Sequence, residues 1–425
     1  MTTIKNHSPF SEKPKVFHGY WIVVATFFCL FITSGCGFFA FSLFVKPLQA
    51  ELGWGRGEIM VAFTFFLLVQ GAASPFIGRV IYLFEARKVI AIGALVAGLG
   101  FALLTQVNHL WYFYLSYIIM GIGMTAMGHI PTSTIVSNWF EKRRGTAIGM
   151  MSTGIGAGGF ALAPLVGGYL IPDFGWRTSY LVLAVFTWVL IIPLALFVIR
   201  AKPADMGLYP DGEQAPEAVA VTEDMSENTR GLTLRMALAT SGLWLAGVAY
   251  LAGGFSSVGI VQNQAPYLED IGFSVAMAAG ALGGVGLGSL IGKFIFGWLC
   301  DRILPKYAYA IALGLQTVGV FILINIKPAS PLAMIWLYVA LIGLGAGGWL
   351  PTMSMLVSTN FGLAAYGTIF GVINIAQSIG VATGPLMAGY MYDTMGTYHW
   401  AFIIILALFV ISIPAILAVR RPKSL

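Results

Sequence analysis

The stretch from Val275 to Gly292 contains 18 residues without a charged side chain, and this length leaves few folds open. It matches the hydrocarbon thickness of a bilayer and therefore predicts a membrane-spanning helix. Lys293 follows directly, and Asp301 lies eight residues further on, roughly 12 Å along a helix. If Asp301 marks the membrane surface, Lys293 lies within the hydrocarbon, where a charge costs on the order of 3 kcal/mol.

A lysine at this depth has two interpretations. It can bind an anion in a polar cavity between helices, or it can be structural, either by snorkelling to the surface or by pairing with a neighbouring helix. We favour the anion-binding interpretation, because eight residues is a long distance for a lysine side chain to snorkel.

Composition places the whole chain in the same class. Of 425 residues, 58% are hydrophobic and 9% are charged, as is typical of a helical protein with many membrane spans. The predicted fold is an all-α membrane protein whose twelve transmembrane helices form two pseudo-symmetric six-helix bundles. The expected divisions are a tail (1–18), the first bundle (19–199), a polar linker (200–240), the second bundle (241–419) and a second tail (420–425).

The distribution of Lys and Arg predicts the orientation in the membrane. Placing the N-terminus inside puts 18 of the 23 basic residues on the cytoplasmic side, in agreement with the positive-inside rule. Both tails and the linker are therefore expected to be cytoplasmic, with the chain in the cell (inner) membrane. The net charge of +6 is spread over loop ends, so it does not indicate nucleic-acid binding.

The two halves of the sequence repeat each other. Pro47 and Gly53 recur as Pro266 and Gly272, at an offset of 219 residues. Further matches at offsets of 219 to 222 pair Gly78 with Gly297, Gly145 with Gly367, Gly149 with Gly371, Gly158 with Gly380, Pro164 with Pro385, Gly168 with Gly389 and Tyr169 with Tyr390. Two parallel six-helix repeats predict a substrate site at their interface, near the middle of the membrane.

A basic motif at the end of the eighth span carries a family resemblance. Gly297 is followed by Asp301, Arg302 and then Lys306, which resembles the gating signature of the major facilitator superfamily between its second and third helices in each half. The whole chain resembles this superfamily. The resemblance implies gating roles for Gly297, Asp301 and Arg302 at the cytoplasmic surface.

The first-half copy of this signature departs from the pattern. Tyr82 stands where the acid is usual and Leu83 where the Arg is usual, whereas the other elements, Gly78, Arg87 and Lys88, are present. We therefore expect a weaker bias toward the outward-facing state, because the acid normally pairs across the interface. The alternative is that Glu85 takes over the role of the missing acid.

Three longer sequence segments resemble those of bacterial monocarboxylate transporters and the oxalate/formate antiporter. They are HGYWIVVATF, NWFEKRRGTAIGM from Asn138 and APLVGGYLIPDFGWR from Ala163. Those relatives usually have an Arg at the position of Lys293. A lysine is a point charge with rotatable donors rather than a planar fork, so we expect looser geometric selectivity and a site that can titrate.

The cavity has several candidate lining residues. By resemblance, His129 occupies a position where a Tyr often contacts substrate, and it could donate to a carboxylate or accept a proton; the alternative is a core histidine bonded to a backbone carbonyl. The amides Asn263, Asn374 and Gln377 either bind substrate or join helices. The aromatic residues Phe38, Phe41 and Trp349 either enclose the apolar end of an organic anion or pack.

Proton coupling is expected to involve Lys293 and His129, since no membrane acid accompanies the lysine in the sequence. An anion beside an unpaired lysine favours its protonated form, which by itself links anion binding to proton uptake. The function we predict is proton-coupled transport of small monocarboxylates, lactate- or pyruvate-like, by alternating access around Lys293. The alternatives are an organic-anion exchanger on the same site, an exporter of another carboxylate or hydrophobic compound, and a membrane sensor that does not transport.

The sequence argues against enzyme activity. It contains no nucleophile–base set, phosphate loop or metal-ligand cluster, and its three cysteines lie in apolar runs without metal-ligand spacing. We therefore expect neither cofactor nor metal. The expected partners are a small organic anion, a proton and the lipid bilayer, and the protein is expected to be a monomer that does not bind nucleic acid.

Overall fold

A computed structural model describes residues 17–212, 231–362 and 365–420, and the regular elements in these ranges are helices. Eleven of them are long and apolar enough to cross a membrane. One of the eleven, Arg144–Val198, has 55 residues, enough for two spans. It bends at Gly175, whose backbone φ of 76° lies in the left-handed region that favours glycine.

Counting this long helix as two spans gives the twelve that the sequence predicts. In chain order they are α1 (His18–Leu52), α2 (Arg56–Leu83), α3 (Ala86–Leu104), α4 (Leu110–Trp139), α5 (144–174), α6 (176–198), α7 (Ser241–Asp270), α8 (Val275–Cys300), α9 (Pro305–Ile324), α10 (Leu332–Phe361), α11 (Tyr366–Met395) and α12 (His399–Leu417). The all-helical fold class with two six-helix halves is confirmed.

The predicted tails and linker lie only partly within the described residues. Residues 1–16, 213–230 and 421–425 fall outside them. At the start of the linker, the Asp211 carboxylate accepts hydrogen bonds from the backbone N–H groups of Glu141 and Lys142, at 2.9 and 2.8 Å. At its end, the Leu232 N–H donates to the Phe361 carbonyl at 2.8 Å. The linker is thus attached at its start to the loop before α5 and at its end to the last residue of α10.

The bundle has two ends, which we name by their residues. The terminal end carries the first and last described residues: the Phe17 ring lies 5.7 Å from Trp139, and Lys306 Nζ donates to the Val419 carbonyl at 3.1 Å. The distal end is the opposite one, where Gly53 and Gly272 end α1 and α7. Every span crosses the bundle from one of these ends to the other.

Two pairs of helices hold the halves together near the distal end. In the first pair, α5 and α8, a Cβ placed on Gly156 would lie 2.5 Å from Leu290 Cβ, and one on Gly167 would lie 2.6 Å from Ala279 Cβ. In the second pair, α2 and α11, Thr64 Oγ1 donates to the Ala382 carbonyl at 2.8 Å. Small residues allow this close approach in a membrane, where packing rather than hydrophobicity drives helix association.

The same helix pairs separate toward the terminal end. A Cβ placed on Gly149 of α5 or on Gly297 of α8 would meet no atom within 4 Å, and the same holds for Gly71 of α2 and Gly371 of α11. The halves therefore enclose a cavity that is closed at the distal end and open at the terminal end.

Candidate functional site

The fourth helix of each half is interrupted at the same place. The backbone of α4 becomes extended at Gly128, with ψ −161°, and a new helical segment begins at His129. Pro131 explains part of the break, because proline has no N–H to donate to the preceding turn. Thr132 Oγ1 compensates by donating to the Gly128 carbonyl at 2.7 Å.

The corresponding segment of α10 begins at Trp349, after Gly348. Thr352 Oγ1 donates to the Gly348 carbonyl at 2.7 Å, which repeats the bond seen in α4. The motif Gly-X-X-Pro-Thr thus occurs at 128–132 and again at 348–352, an offset of 220 residues. His129 and Trp349 are equivalent positions in the two halves, each at the start of a helical segment.

Lys293 lies where the halves begin to separate. It follows Leu290, which contacts Gly156 of the first half, by three residues toward the terminal end. Its backbone packs against α10, since a Cβ on Gly347 would lie 2.7 Å from Lys293 N. The residue is half-buried, and within the described ranges no acidic side chain pairs with it. The alternative of a lysine paired with a neighbouring helix therefore finds no support in the structure.

His129 of the first half lies within electrostatic range of Lys293 of the second half. His129 is exposed, and in the part of the chain that the structure describes its imidazole has no hydrogen-bond partner. An exposed side chain that also lies near a cation of the opposite half faces the cavity between the halves. In this placement the imidazole is bonded to no carbonyl of the described residues, and a role for His129 in binding stays a prediction.

The three aromatic candidates differ in their surroundings. Phe41 is 2% exposed, and its ring packs against Phe63 at 4.8 Å and Tyr117 at 5.3 Å, inside the first half. Phe38 is half-buried on a π-helical turn of α1 (Thr33–Phe39), and Trp349 is half-buried at the break in α10. Contact with an anion remains a prediction for all three; Phe38 and Trp349 keep surface available for it.

The amide candidates also differ in their burial and contacts. Asn263 is fully buried, and its Nδ2 donates to the carbonyls of Gly259 at 2.9 Å and Pro385 at 3.4 Å, which joins α7 to α11. Gln377 is 7% exposed and packs against Gly254. Asn374 is half-buried. Substrate contact by these amides stays a prediction, which the placement favours for Asn374.

The amide that joins the halves was not among the predicted site residues. Gln262 Nε2 donates to the carbonyl of Phe38 at 2.9 Å, whereas the prediction singled out its neighbour Asn263. The triplet Gln262-Asn263-Gln264 was a visible signal. Adjacent residues point about 100° apart on a helix, so the signal could not identify the member that faces the first half.

The second-half gating residues lie at the terminal end. Asp301 and Arg302 are exposed, and the Arg302 guanidinium stacks 4.2 Å from the Trp298 ring of its own helix. Gly297 has open space beside it. Among the residues whose side chains the structure describes, no hydrogen bond or ion pair joins these three residues to the first half in this conformation.

The first-half copy is only partly described. Gly78, Tyr82 and Leu83 lie outside the residues whose side chains the structure describes. Arg87 and Lys88 both pair with Glu85, at 2.5 and 3.4 Å. The hydrogen bond from Arg87 holds the pKa of the Glu85 carboxyl below its ordinary value. Glu85 thus pairs within its own loop, and its taking over the role of the missing acid stays a prediction.

The fold and the cavity are those of a membrane transporter, and the family model agrees. The chain belongs to the Major Facilitator Superfamily, whose model matches residues 26–385 and 265–425. The structure is similar to a crystal structure of a bacterial homolog of the human lysosomal transporter Spinster, in its inward-facing and unoccupied conformation. The TM-score is 0.73 at 14% sequence identity, over 97% of this chain and 100% of that one.

The chain is also similar in sequence to two proteins named as monocarboxylate transporters and to a bacterial transporter. Monocarboxylate transporter 13 of Bos taurus is 23% identical over 395 residues, covering 93% of this chain and 87% of that protein. Monocarboxylate transporter 11 of Homo sapiens is 28% identical over 346 residues, covering 80% and 69%. The uncharacterized MFS-type transporter YcxA of Bacillus subtilis is 22% identical over 413 residues, covering 93% and 94%.

Proposed function

We propose that this protein is a secondary active transporter of small monocarboxylates, lactate- or pyruvate-like, that works by alternating access around Lys293. The observation that carries the proposal is the position of Lys293, at the inner limit of the cavity and without an acidic partner among the described residues. One cation balances one carboxylate. A dianion would leave a net negative charge in a site of low dielectric, which is costly.

The surroundings of the lysine suit a carboxylate. His129 approaches from the first half and begins a helical segment whose N-terminal end carries partial positive charge. Phe38 and Trp349 can enclose the organic part of the anion. The names of the relatives from Bos taurus and Homo sapiens, both monocarboxylate transporters, agree with this substrate class.

Proton coupling follows from the same lysine. A neutral amine can return through the membrane in an empty carrier, whereas the charged form is favoured when a carboxylate lies beside it. The anion and the proton then cross together as a neutral pair. His129 offers a second side chain that can accept a proton.

Anion exchange is the second candidate, and one observation favours it. If Lys293 stays protonated without substrate, the empty carrier has to move an unpaired charge through the closed interface, because the structure supplies no acidic partner within the described ranges. Such a carrier would reorient only with an anion bound, and it would exchange one anion for another.

The orientation belongs to the same proposal. We place the terminal end in the cytoplasm and the chain in the inner membrane, because the basic residues concentrate at that end. The described conformation, open at the terminal end, is then the inward-open state of the transport cycle.

The experiment that tests the substrate class is counterflow. Purified protein is reconstituted into liposomes loaded with unlabelled L-lactate, and entry of external labelled L-lactate is followed. We expect entry to exceed that into protein-free liposomes and to be inhibited by pyruvate and not by oxalate. Equal entry with and without protein would contradict the proposed substrate, and a wider set of organic anions would then be screened in the same format.

Replacement of His129 is expected to weaken anion binding. His129→Phe should raise the concentration for half-maximal counterflow roughly tenfold, since a hydrogen bond to a charged group contributes about 1.5–3 kcal/mol. His129→Gln, which keeps a donor, should stay within about threefold of wild type, a difference of less than roughly 0.7 kcal/mol. His18 provides the control, because its imidazole bonds to the Val198 carbonyl at 3.0 Å outside the cavity. A His18→Gln effect as large as that of His129→Phe would contradict a role for His129 in binding.

A further inference from the structure

A network of charged side chains joins the halves at the distal end. Its centre is Arg56, the first residue of α2, which is only 2% exposed. Its guanidinium donates to both carboxylate oxygens of Asp270, the last residue of α7, at 2.5 and 2.9 Å. Arg56 belongs to the first half and Asp270 to the second, so this two-bond ion pair crosses the interface.

Two further donors of Arg56 are also satisfied. Nε donates to Gln49 Oε1 at 2.9 Å, and Nη1 donates to the Tyr398 hydroxyl at 3.1 Å. The guanidinium lies 3.7 Å from the centre of the Tyr392 ring, on α11 of the second half. A buried arginine with this many partners is held in one geometry, which a lysine could not reproduce.

Two further contacts reinforce the crossing. Asp393 of α11 accepts from the backbone N–H of Arg56 at 2.7 Å and of Gly57 at 2.6 Å, so a carboxylate of the second half caps a helix of the first. Lys46 Nζ lies 3.0 Å from Asp270 and 3.7 Å from Glu269. We call this set the distal latch: Lys46, Arg56, Glu269, Asp270 and Asp393.

The ion pairs of the latch join the two halves, whereas a neighbouring ion pair at the same end does not. Arg177 and Glu51 form an ion pair near the same end, but both belong to the first half, and both are far more exposed than Arg56. At the terminal end, Asp301 and Arg302 are exposed in this conformation. Among the ion pairs between described residues, those that cross the interface are therefore the ones in the latch.

We infer that the distal latch sets the equilibrium between the described conformation and the one that opens at the distal end, with the Arg56–Asp270 pair as its main contact. The distal end cannot open while Arg56 is bonded to α7 and the N-terminus of α2 is capped from α11. Opening has to break every one of these contacts together, which makes the equilibrium sensitive to a single side chain. This inference concerns the protein without substrate and is independent of what it transports.

Distances between spin labels test the inference. His109→Cys in the loop before α4 and Ala329→Cys in the loop before α10 are exposed distal positions, one in each half. The background carries Cys29→Ala, Cys36→Ala and Cys300→Ala. Pulsed electron paramagnetic resonance on substrate-free protein in lipid nanodiscs gives the ratio of the longer, distal-open distance to the shorter one.

We expect Asp270→Asn to raise this ratio at least tenfold and Arg56→Lys to give a smaller rise. Asp393→Asn, which leaves the ion pair intact, should also raise it. The matched control Arg177→Gln should leave the ratio within twofold, because its pair lies inside one half. An unchanged ratio in both Asp270→Asn and Asp393→Asn, each monodisperse and helical, would overturn the inference, as would an equal rise in Arg177→Gln.

Discussion

Replacement of Lys293 with glutamine is expected to weaken binding of the transported anion roughly 100-fold, because losing one partner of a desolvated charge pair costs on the order of 3 kcal/mol. Glutamine keeps a hydrogen-bond donor of similar length but no charge. Lys293→Arg should retain most of the affinity, since it keeps the charge and adds a planar fork that suits a carboxylate.

Binding is measured at equilibrium, by calorimetry in detergent with the anion that supports counterflow. The control is Lys327→Gln, which removes an exposed lysine of the same half in the loop between α9 and α10. It should leave the affinity within twofold of wild type. Retention of wild-type affinity by Lys293→Gln would remove the lysine from the binding site and with it the main support for the proposed function.

Two leucine substitutions on α5 are expected to shift the conformational equilibrium in opposite directions. Gly156→Leu places a side chain against Leu290 and Gly286 of α8, so it should disfavour the described conformation. Gly149→Leu meets open space here. Gly149 lies seven residues away, on nearly the same face of the helix, so its side chain would obstruct closure of the terminal end. It should therefore favour the described conformation.

Spin labels at Phe84→Cys and Leu304→Cys, two exposed positions in the loops after α2 and α8, report on the terminal end. Overpacking costs about 1–3 kcal/mol, so we expect each substitution to change the open-to-closed ratio roughly tenfold, downward for Gly156→Leu and upward for Gly149→Leu. Both variants should lose transport, because the cycle needs both states. Shifts in the same direction would contradict rocking of the halves along α5 and α8.

The sequence predicted the twelve spans and the two-half repeat, and it pointed to Lys293 and His129, which the structure places near each other. Apolar length and a charge in a span each carry a large energy, and such energies leave visible patterns. For both residues, a role in binding or proton coupling stays a prediction. The bend at Gly175 divides the long helix into the fifth and sixth of the twelve predicted spans.

Contacts between the halves were less predictable. Arg56 was only one of the five basic residues that were not assigned to the cytoplasmic side, yet it is 2% exposed at the centre of the distal latch. Its partner Asp270 is 214 residues away, and no local pattern links the two. The same limit applies to the choice between Gln262 and Asn263. The open end of the cavity could not be predicted either, because one sequence must support both conformations of a transporter.

Uptake driven by a proton gradient tests the central claim most directly. Labelled L-lactate uptake into proteoliposomes is measured with and without an inward proton gradient, for wild type and for Lys293→Gln, in liposomes without internal anion substrate. We predict accumulation by the wild type that requires the gradient and is lost in Lys293→Gln. Wild-type uptake that ignores the gradient, or gradient-driven uptake that survives in Lys293→Gln, would contradict a carrier in which anion and proton meet at Lys293.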